Sequence, residues 1–261
     1  MKRYWKIFLA LASINFKLEL EYRSVIFGGI ILSAINLLIT VFFISIYFSM
    51  TKSISDWSRE QVFLLTGLFK VFESTYRIFF IKGVHRLPEM VSEGNLDLLL
   101  TKPVASQFLA SFRYIKPFEF FTLLPGLILT IYAMSLQDKI IISNLVLLII
   151  GLVLGLLTFY GIHFMIATLV FWMGRFGSFA DLYYVITAPL SVPIDFFGKN
   201  LIFLFTYIVP LAFMVTIPVK LFLNTSPTYL IVGSLIATLC SLLVSNWFWN
   251  FALKHYTSAS S

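Results

Sequence analysis

Residues 140–174 read IIISNLVLLIIGLVLGLLTFYGIHFMIATLVFWMG and contain no charged side chain. A helix needs roughly 20 consecutive apolar residues to cross the hydrocarbon core of a bilayer. The stretch exceeds that length, so it predicts a membrane-spanning helix. Three further charge-free runs cover residues 24–51, 200–219 and 221–253. Together the four runs indicate a polytopic integral membrane protein.

The composition of the chain excludes several classes of protein. Hydrophobic residues make up 59% of the 261 residues and charged residues 12%, whereas a soluble domain carries roughly 25% charged residues. A soluble enzyme, a nucleic-acid-binding module and a disordered protein are therefore excluded. The net charge of +7 records orientation in the membrane rather than a nucleic-acid partner. Because Cys240 is the single cysteine, neither an internal disulfide nor a multi-cysteine metal site is expected.

The hydrophobic pattern predicts an all-α fold in one membrane domain over residues 1–261. Residues 2–22 are predicted to form an amphipathic interfacial helix, with one face formed by Trp5, Phe8, Leu9, Ala12 and Phe16. The first four spanning helices are predicted at residues 24–48, 61–81, 117–136 and within 140–174, and the last at 221–253 or 227–253. The fifth is either 176–197 or 200–219. Both choices give six spans.

The position of a proline bears on which candidate for the fifth span crosses the membrane. Pro210 lies at the centre of residues 200–219, where it removes a backbone donor and kinks a helix. Such a break suits a hairpin that enters and leaves the membrane on the same side. The sequence alone leaves the choice open.

Basic residues predict the orientation. With the fifth helix at 176–197, one side carries twelve Lys and Arg residues and the other carries five: Lys52, Arg59, Lys139, Lys199 and Lys220. The richer side holds both termini and the loop of residues 82–116. Because cytoplasmic loops carry the excess of basic residues, the termini and this loop are expected in the cytoplasm.

The long loop has strong local signals. Pro88 suits the first turn of a short helix that Gly94 ends, and Asn95 can cap a second helix in which Asp97 complements the helix dipole. In that second helix Leu96, Leu99 and Leu100 are predicted to share an apolar face. The loop is either a connector lying on the lipid surface or a peg that docks into a partner.

The string EGNLDLLLTKP at residues 93–103 resembles the signature after the second helix in permeases of the ABC-2 type transporter family, bacterial exporter subgroup. Residues 188–193 (APLSVP) followed by residues 208–213 (IVPLAF) are similar to the end of helix five and the re-entrant hairpin of that family.

This resemblance implies a function and partners. It implies a six-helix permease of an ATP-driven exporter in the bacterial inner membrane, surrounded by lipid and paired with an identical or paralogous permease. It also implies two cytoplasmic ATPases that bind ATP and Mg and dock on a coupling helix in the first cytoplasmic loop, and it favours a re-entrant hairpin at 198–222. By position, the coupling element comprises Glu93, Gly94, Leu96, Asp97, Leu99, Lys102 and Pro103.

The chain lacks a nucleotide-binding motif of its own. A phosphate-binding loop requires GxxxxGK[ST], and the nearest glycine-lysine pair, Gly198-Lys199, is followed by Asn200. Energy is therefore expected from a partner ATPase or from an ion gradient.

Three charged residues interrupt the second predicted span. Lys70, Glu73 and Arg77 share one helical face, where Glu73 can pair with both cations. A charge at the bilayer centre costs about 2.5–3.5 kcal/mol on insertion scales, so these side chains are expected to face protein or water. They are either structural ion pairs or part of a translocation path. In a secondary transporter or channel they would be the ion relay, and a membrane assembly factor is a further alternative.

Two remaining patterns have structural interpretations. His163 stands apart from the other two histidines, so a hydrogen-bonded core histidine is favoured over a metal ligand. Gly151 and Gly155 form a GxxxG pattern, which permits close packing of helices; the pair Gly28-Gly29 permits the same.

Overall fold

The computed structural model describes residues 2–20, 23–137, 140–173 and 179–256. Apart from one isolated β-bridge between Ile54 and Trp57, these residues form helices, turns and loops. The α-helices are α1 (Lys2–Glu19), α2 (Arg23–Met50), α3 (Arg59–Tyr76), α4 (Leu87–Ser92), α5 (Asp97–Leu100), α6 (Ser106–Phe112), α7 (Leu123–Ser135), α8 (Ile142–Thr168), α9 (Phe179–Thr187), α10 (Lys199–Phe203), α11 (Thr216–Phe222) and α12 (Leu230–Leu253). The predicted all-α fold is confirmed.

Other helical turns extend several of these helices. The π turn Arg77–Ile81 and the short helix Lys82–His85 continue α3, and the π turn Leu204–Ile208 continues α10. The 3-10 turn Pro117–Thr122 leads into α7, the turn Ala188–Ser191 follows α9, and Val170–Met173 follows α8.

Four helices in the described part of the chain are long and apolar enough to cross a membrane. They are Phe27–Met50, Pro117–Ser135, Ile142–Met173 and Leu230–Leu253. These agree with four of the six predicted spans. The second predicted span is helical from Arg59 to His85, but Lys70, Glu73 and Arg77 make it more polar than the other four.

Neither candidate for the fifth span is one continuous helix. Within 176–197, the described residues form only α9 and short 3-10 turns, while residues 176–178 lie outside the described part. Within 200–219 the helix ends at Ile208, the backbone of Val209 and Pro210 is extended or irregular, and α11 begins at Thr216. The break falls at the proline, as its missing donor predicts.

Small residues allow α8 to pack at the centre of the molecule. A Cβ atom added to Gly151 would lie 2.9 Å from Pro218, and one added to Gly155 would lie 2.5 Å from the Met214 carbonyl oxygen. On another face Gly161 contacts Ser241 of α12. The predicted close packing at Gly151 and Gly155 is therefore confirmed, and α8 touches both α11 and α12.

A second close contact joins α3 to α7. The Cα of Gly67 faces Thr130, and the Cα of Gly126 faces Lys70. The start of α3 is set by a capping box, in which the Ser58 and Gln61 side chains each accept a hydrogen bond from the other residue's backbone N–H. This helix pair holds the charged face of α3 in a defined orientation.

The two N-terminal helices pack more loosely. In α1 the predicted apolar face divides: Phe8 and Ala12 pack against a buried cluster, while Trp5, Leu9 and Phe16 are exposed. In α2 nothing lies within 4 Å of a Cβ added to Gly28 or Gly29. Contrary to the prediction, these two glycines pack closely against no helix in the described part of the chain, and they border an open space instead.

Candidate functional site

A cavity of about 950 Å³ lies between the end of α1, α2, α3 and the 3-10 turn before α7. Tyr184 of α9 also borders it. Its charged lining residues are Glu19, Lys70, Glu73, Arg77, Lys82, Lys116 and Glu119. The three charges predicted to face protein or water in α3 therefore do so together, in one cavity.

Ion pairs divide these charges between two carboxylates. Lys70 Nζ lies 3.0 Å from Glu73 Oε2. Arg77 instead forms a two-bond contact with Glu119, with donor–acceptor distances of 3.0 and 3.3 Å. Lys116 Nζ lies 3.4 Å from the same carboxylate. The expectation that Glu73 pairs with both cations is thus met for Lys70, whereas Arg77 takes its ion-pair partner from the turn before α7.

Hydroxyl groups join the elements behind the ion pairs. The Ser74 and Ser33 hydroxyls donate to the Thr122 carbonyl oxygen at 3.2 and 3.4 Å. The Thr122 hydroxyl lies 3.2 Å from the Ser74 hydroxyl. At the mouth, Glu19 accepts a hydrogen bond of 2.9 Å from the Phe118 amide. These bonds tie α1, α2 and α3 to the turn that carries Glu119.

Four of the charged lining residues were not singled out from the sequence: Glu19, Lys82, Lys116 and Glu119. Glu119 had a visible signal, because a lone carboxylate at the start of an apolar span requires a partner. The guanidinium of Arg77 is this partner, and Arg77 lies 42 positions earlier in the sequence, so no local sequence pattern identifies the pair.

The predicted coupling element lies in the loop between the cavity residues Lys82 and Lys116. The first helix of this loop is α4, which precedes the coupling element and has Pro88 in its first turn. Gly94 follows the helix with a φ of 72°. A left-handed residue of this kind ends a helix and favours glycine. The Leu96 amide then donates to the Met90 carbonyl oxygen at 3.1 Å. The predicted roles of Pro88 and Gly94 are both confirmed.

The second half of the element differs from the prediction. Helix α5 is a single turn without a side-chain cap, and Asn95 donates to the Glu93 carboxylate at 3.1 Å instead of capping it. Leu96 and Leu99 are buried as predicted, but the prediction was wrong for Leu100, which is 39% exposed, and Leu98 is 60% exposed. The apolar face therefore anchors the loop to the membrane domain, because burial of those leucines removes their surface from water.

The outward face of the loop is polar around one leucine. Glu93, Leu98, Lys102 and Pro103 are exposed. A shallow pocket of about 210 Å³ lies beside them, between Leu98 and the side chains of Arg86, Glu89, Met90, Glu93, Asn95, Arg113 and Tyr114. The Arg86 guanidinium lies 4.5 Å from the centre of the Tyr114 ring.

A buried aromatic cluster lies between the loop and α8. The Tyr76 hydroxyl is hydrogen-bonded to Nδ1 of His163, which is fully buried. The rings of Tyr183 and His85 lie 5.6 and 5.4 Å from that of His163. The predicted hydrogen-bonded core histidine is thus confirmed, and within the described residues no three His, Cys, Asp or Glu side chains form a metal-binding group.

Burial affects two titratable groups at the loop's start. It lowers the pKa of His85 to about 4, with the nearby charges of Arg77 and Lys116 acting in the same direction. Burial also lowers the pKa of Lys82 below its usual value, and the charges of Lys116 and Arg86 add to this effect, while Glu19 opposes it. The loop therefore begins in a region that disfavours additional positive charge.

Four helices that are long and apolar enough to cross a membrane define a multi-pass membrane protein. Residues 34–260 match the profile of the ABC-2 family transporter proteins. The chain belongs to this family, whose members are the membrane subunits that work with ABC ATPases. The match begins within α2, so Glu19 and the two cavity glycines lie outside it. No curated protein and no solved structure shows significant similarity to the chain.

Proposed function

We propose that the chain is the permease subunit of an ATP-driven exporter in the bacterial cytoplasmic membrane. It pairs with a second permease, identical or paralogous, and with two cytoplasmic ATPase subunits that bind ATP and Mg. The observation that carries this proposal is the family match over residues 34–260. Six spans, cytoplasmic termini and a re-entrant hairpin at 198–222 complete the arrangement.

The geometry of α3 supports counting it among the spans. Its charges are directed into the cavity, where Lys70 has Glu73 and Arg77 has Glu119 as partners. Charges held in this way avoid most of the cost of contact with lipid. The π turn that continues the helix to Ile81 makes the segment long enough to cross the bilayer.

The shape of the loop supports a coupling role. Both of its ends, Lys82 and Lys116, line the cavity, and its middle presents Glu93, Leu98 and Lys102 to solvent. The Lys116 amide also donates to the Ile78 carbonyl oxygen at 2.9 Å, inside the π turn. Motion of the exposed residues, driven by an ATPase, would therefore be transmitted to the cavity, because both ends of the loop are part of the cavity wall.

The translocation path is proposed to include the cavity residues Lys70, Glu73 and Arg77. They lie on the open side of α3, facing the exposed helix α2. In the dimer this side is expected to contribute to the path between the two permeases. If the Arg77–Glu119 ion pair opened during transport, both charges would become available to a substrate in the cavity.

Copurification of the ATPase tests the coupling proposal. The tagged chain is extracted in mild detergent, and the proteins that accompany it are identified by mass spectrometry. The double variant Asp97→Ala/Lys102→Ala is expected to lose a stoichiometric ATPase, because the charges that flank Leu98 are gone. Lys199→Ala, which removes an exposed charge far from the loop, is the matched control and is expected to retain it.

The outcomes separate the proposal from its rival. Copurification of a second permease sequence would establish a heterodimer. The charged cavity also suits a secondary transporter, which would purify without any ATPase. Ion-gradient-driven flux by such a preparation would overturn the exporter proposal.

A further inference from the structure

Within residues 2–20, 23–137, 140–173 and 179–256, Lys82 is the cavity cation for which the structure shows no ion pair. Lys70 is paired with Glu73, and Arg77 and Lys116 share Glu119. Glu19 is engaged by the Phe118 amide. Among the described residues no carboxylate lies within ion-pair distance of Lys82. The lining residues that the structure describes thus include four cations and three carboxylates.

The surroundings of Lys82 are unfavourable to its charge. The side chain is half-buried, and burial lowers its pKa; the charge of Glu19 opposes this effect, while the charges of Lys116 and Arg86 add to it. An anion that entered the cavity would offset both effects, since an opposite charge nearby favours the charged form. Lys116 has a side chain that is 32% exposed, and its ammonium group carries three N–H donors, so it can contribute a second donor while it remains paired with Glu119.

The wall of the cavity that α2 forms contains no charged residue among those that line it. Gly28 and Gly29 leave open space beside them, Leu32 is apolar, and Ser33 and Asn36 contribute uncharged polar groups. Further along this helical face, Ile39 and Phe43 are 50% and 63% exposed. A charged pocket therefore continues into an apolar track along the outside of α2.

We propose that the cavity binds the anionic headgroup of an amphiphile, a phosphate or carboxylate, whose apolar chain lies along α2. Lys82 and Lys116 contact the headgroup, and the two glycines leave room for it. A soluble anion would satisfy the lysines but would not use the apolar track, so the structure favours the amphiphile. The inference rests on the proposed function in treating the cavity as part of the transport route, but the binding itself requires no ATPase.

Direct binding to the purified chain tests the site. The probe is a fluorescent phosphatidic acid titrated into the protein in neutral detergent micelles, with the matching phosphatidylcholine as the zwitterionic comparison. Lys82→Gln is expected to weaken binding of phosphatidic acid about tenfold, because one charge-assisted hydrogen bond contributes that much. Lys199→Gln, an exposed lysine at a distance from the cavity, is expected to bind as the unaltered chain does.

A second variant tests the shape of the site without changing charge. Gly29→Leu fills the open space, and a side chain there meets no protein atom within 4 Å of its Cβ. The protein is expected to fold normally, as thermal unfolding would verify, and to bind phosphatidic acid at least fivefold more weakly, an estimate based on lost complementarity.

Each outcome bears on the inference. Equal affinity for phosphatidic acid and phosphatidylcholine, or unchanged binding in Lys82→Gln and Gly29→Leu, would overturn it. Displacement of the probe by inorganic phosphate at comparable concentration would identify a soluble anion as the ligand and would also overturn it. Because no ATPase is present, failure here leaves the copurification result unaffected.

Discussion

Replacing Glu119 with glutamine tests whether the ion-pair network joins the cavity walls. Glu119 accepts two hydrogen bonds from Arg77 and lies 3.4 Å from Lys116, and its side chain is only 15% exposed. Hydrogen bonds to charged groups contribute about 1.5–3 kcal/mol each. Glutamine keeps one acceptor oxygen but removes the charge that both cations share.

The expected loss of unfolding free energy is about 2–3 kcal/mol, below the roughly 3–5 kcal/mol for breaking a fully buried pair. It is smaller because the cavity admits water to Arg77. Equilibrium unfolding by dodecyl sulfate in mixed micelles, followed by the fluorescence of the five tryptophans, measures it. The control is Glu89→Gln, whose pair with Arg86 is 3.6 Å long and about half exposed, so its effect should be below about 1 kcal/mol.

A double-mutant cycle separates the pair from other effects of the substitution. If Arg77 and Glu119 act together, Arg77→Gln and the double variant should reveal a coupling energy of about 1 kcal/mol or more. Additive effects, or a loss in Glu119→Gln no larger than in Glu89→Gln, would refute the reasoning. In that case the two walls would be held by the hydroxyl bonds around Thr122 alone.

Two further predictions follow from packing and from burial. Gly155→Ala should reduce stability by about 1–3 kcal/mol, because the new Cβ would lie 2.5 Å from the Met214 carbonyl oxygen. Gly29→Ala, in open space, should be neutral or stabilising by up to about 1 kcal/mol, and equal effects in mixed-micelle unfolding would contradict the packing argument. Burial lowers the pKa of His85 to about 4, against about 6.5 in the unfolded chain. The unfolded state therefore takes up a proton first as pH falls, and stability is lost between about pH 6.5 and 4. The thermal midpoint should fall less on acidification in His85→Gln than in the control His255→Gln, an exposed position, and identical pH profiles would be incompatible with this assignment.

Structural features that depend on residues close together in the chain could be predicted from the sequence. Three of the four charge-free runs, at residues 24–51, 140–174 and 221–253, contain helices long enough to span a membrane, because length and hydrophobicity are local properties. The break at Pro210 follows from the chemistry of one residue. The close approach at Gly151 and Gly155 follows from their missing side chains, and the partner surface around Pro218 was not needed to predict it.

Structural features that depend on residues far apart in the sequence could not be predicted from it. Arg77 has Glu73 within one helical turn, yet it binds Glu119 because the α3–α7 contact brings that carboxylate closer in a better geometry. The leucines of the loop present a similar ambiguity. In a short helix the spacing cannot decide which leucines face inward, and here Leu96 and Leu99 are buried while Leu98 is exposed.

The π turn at Arg77–Ile81 makes the chain intolerant of insertions and deletions at this point. Beyond it, Gly83 packs directly against the backbone carbonyl groups of Ala110 and Ser111. Deleting one residue from the turn would rotate the following helix by about 100° and replace Gly83 at this contact with a residue that carries a Cβ. Length variation among related proteins is therefore not expected between Tyr76 and Gly83.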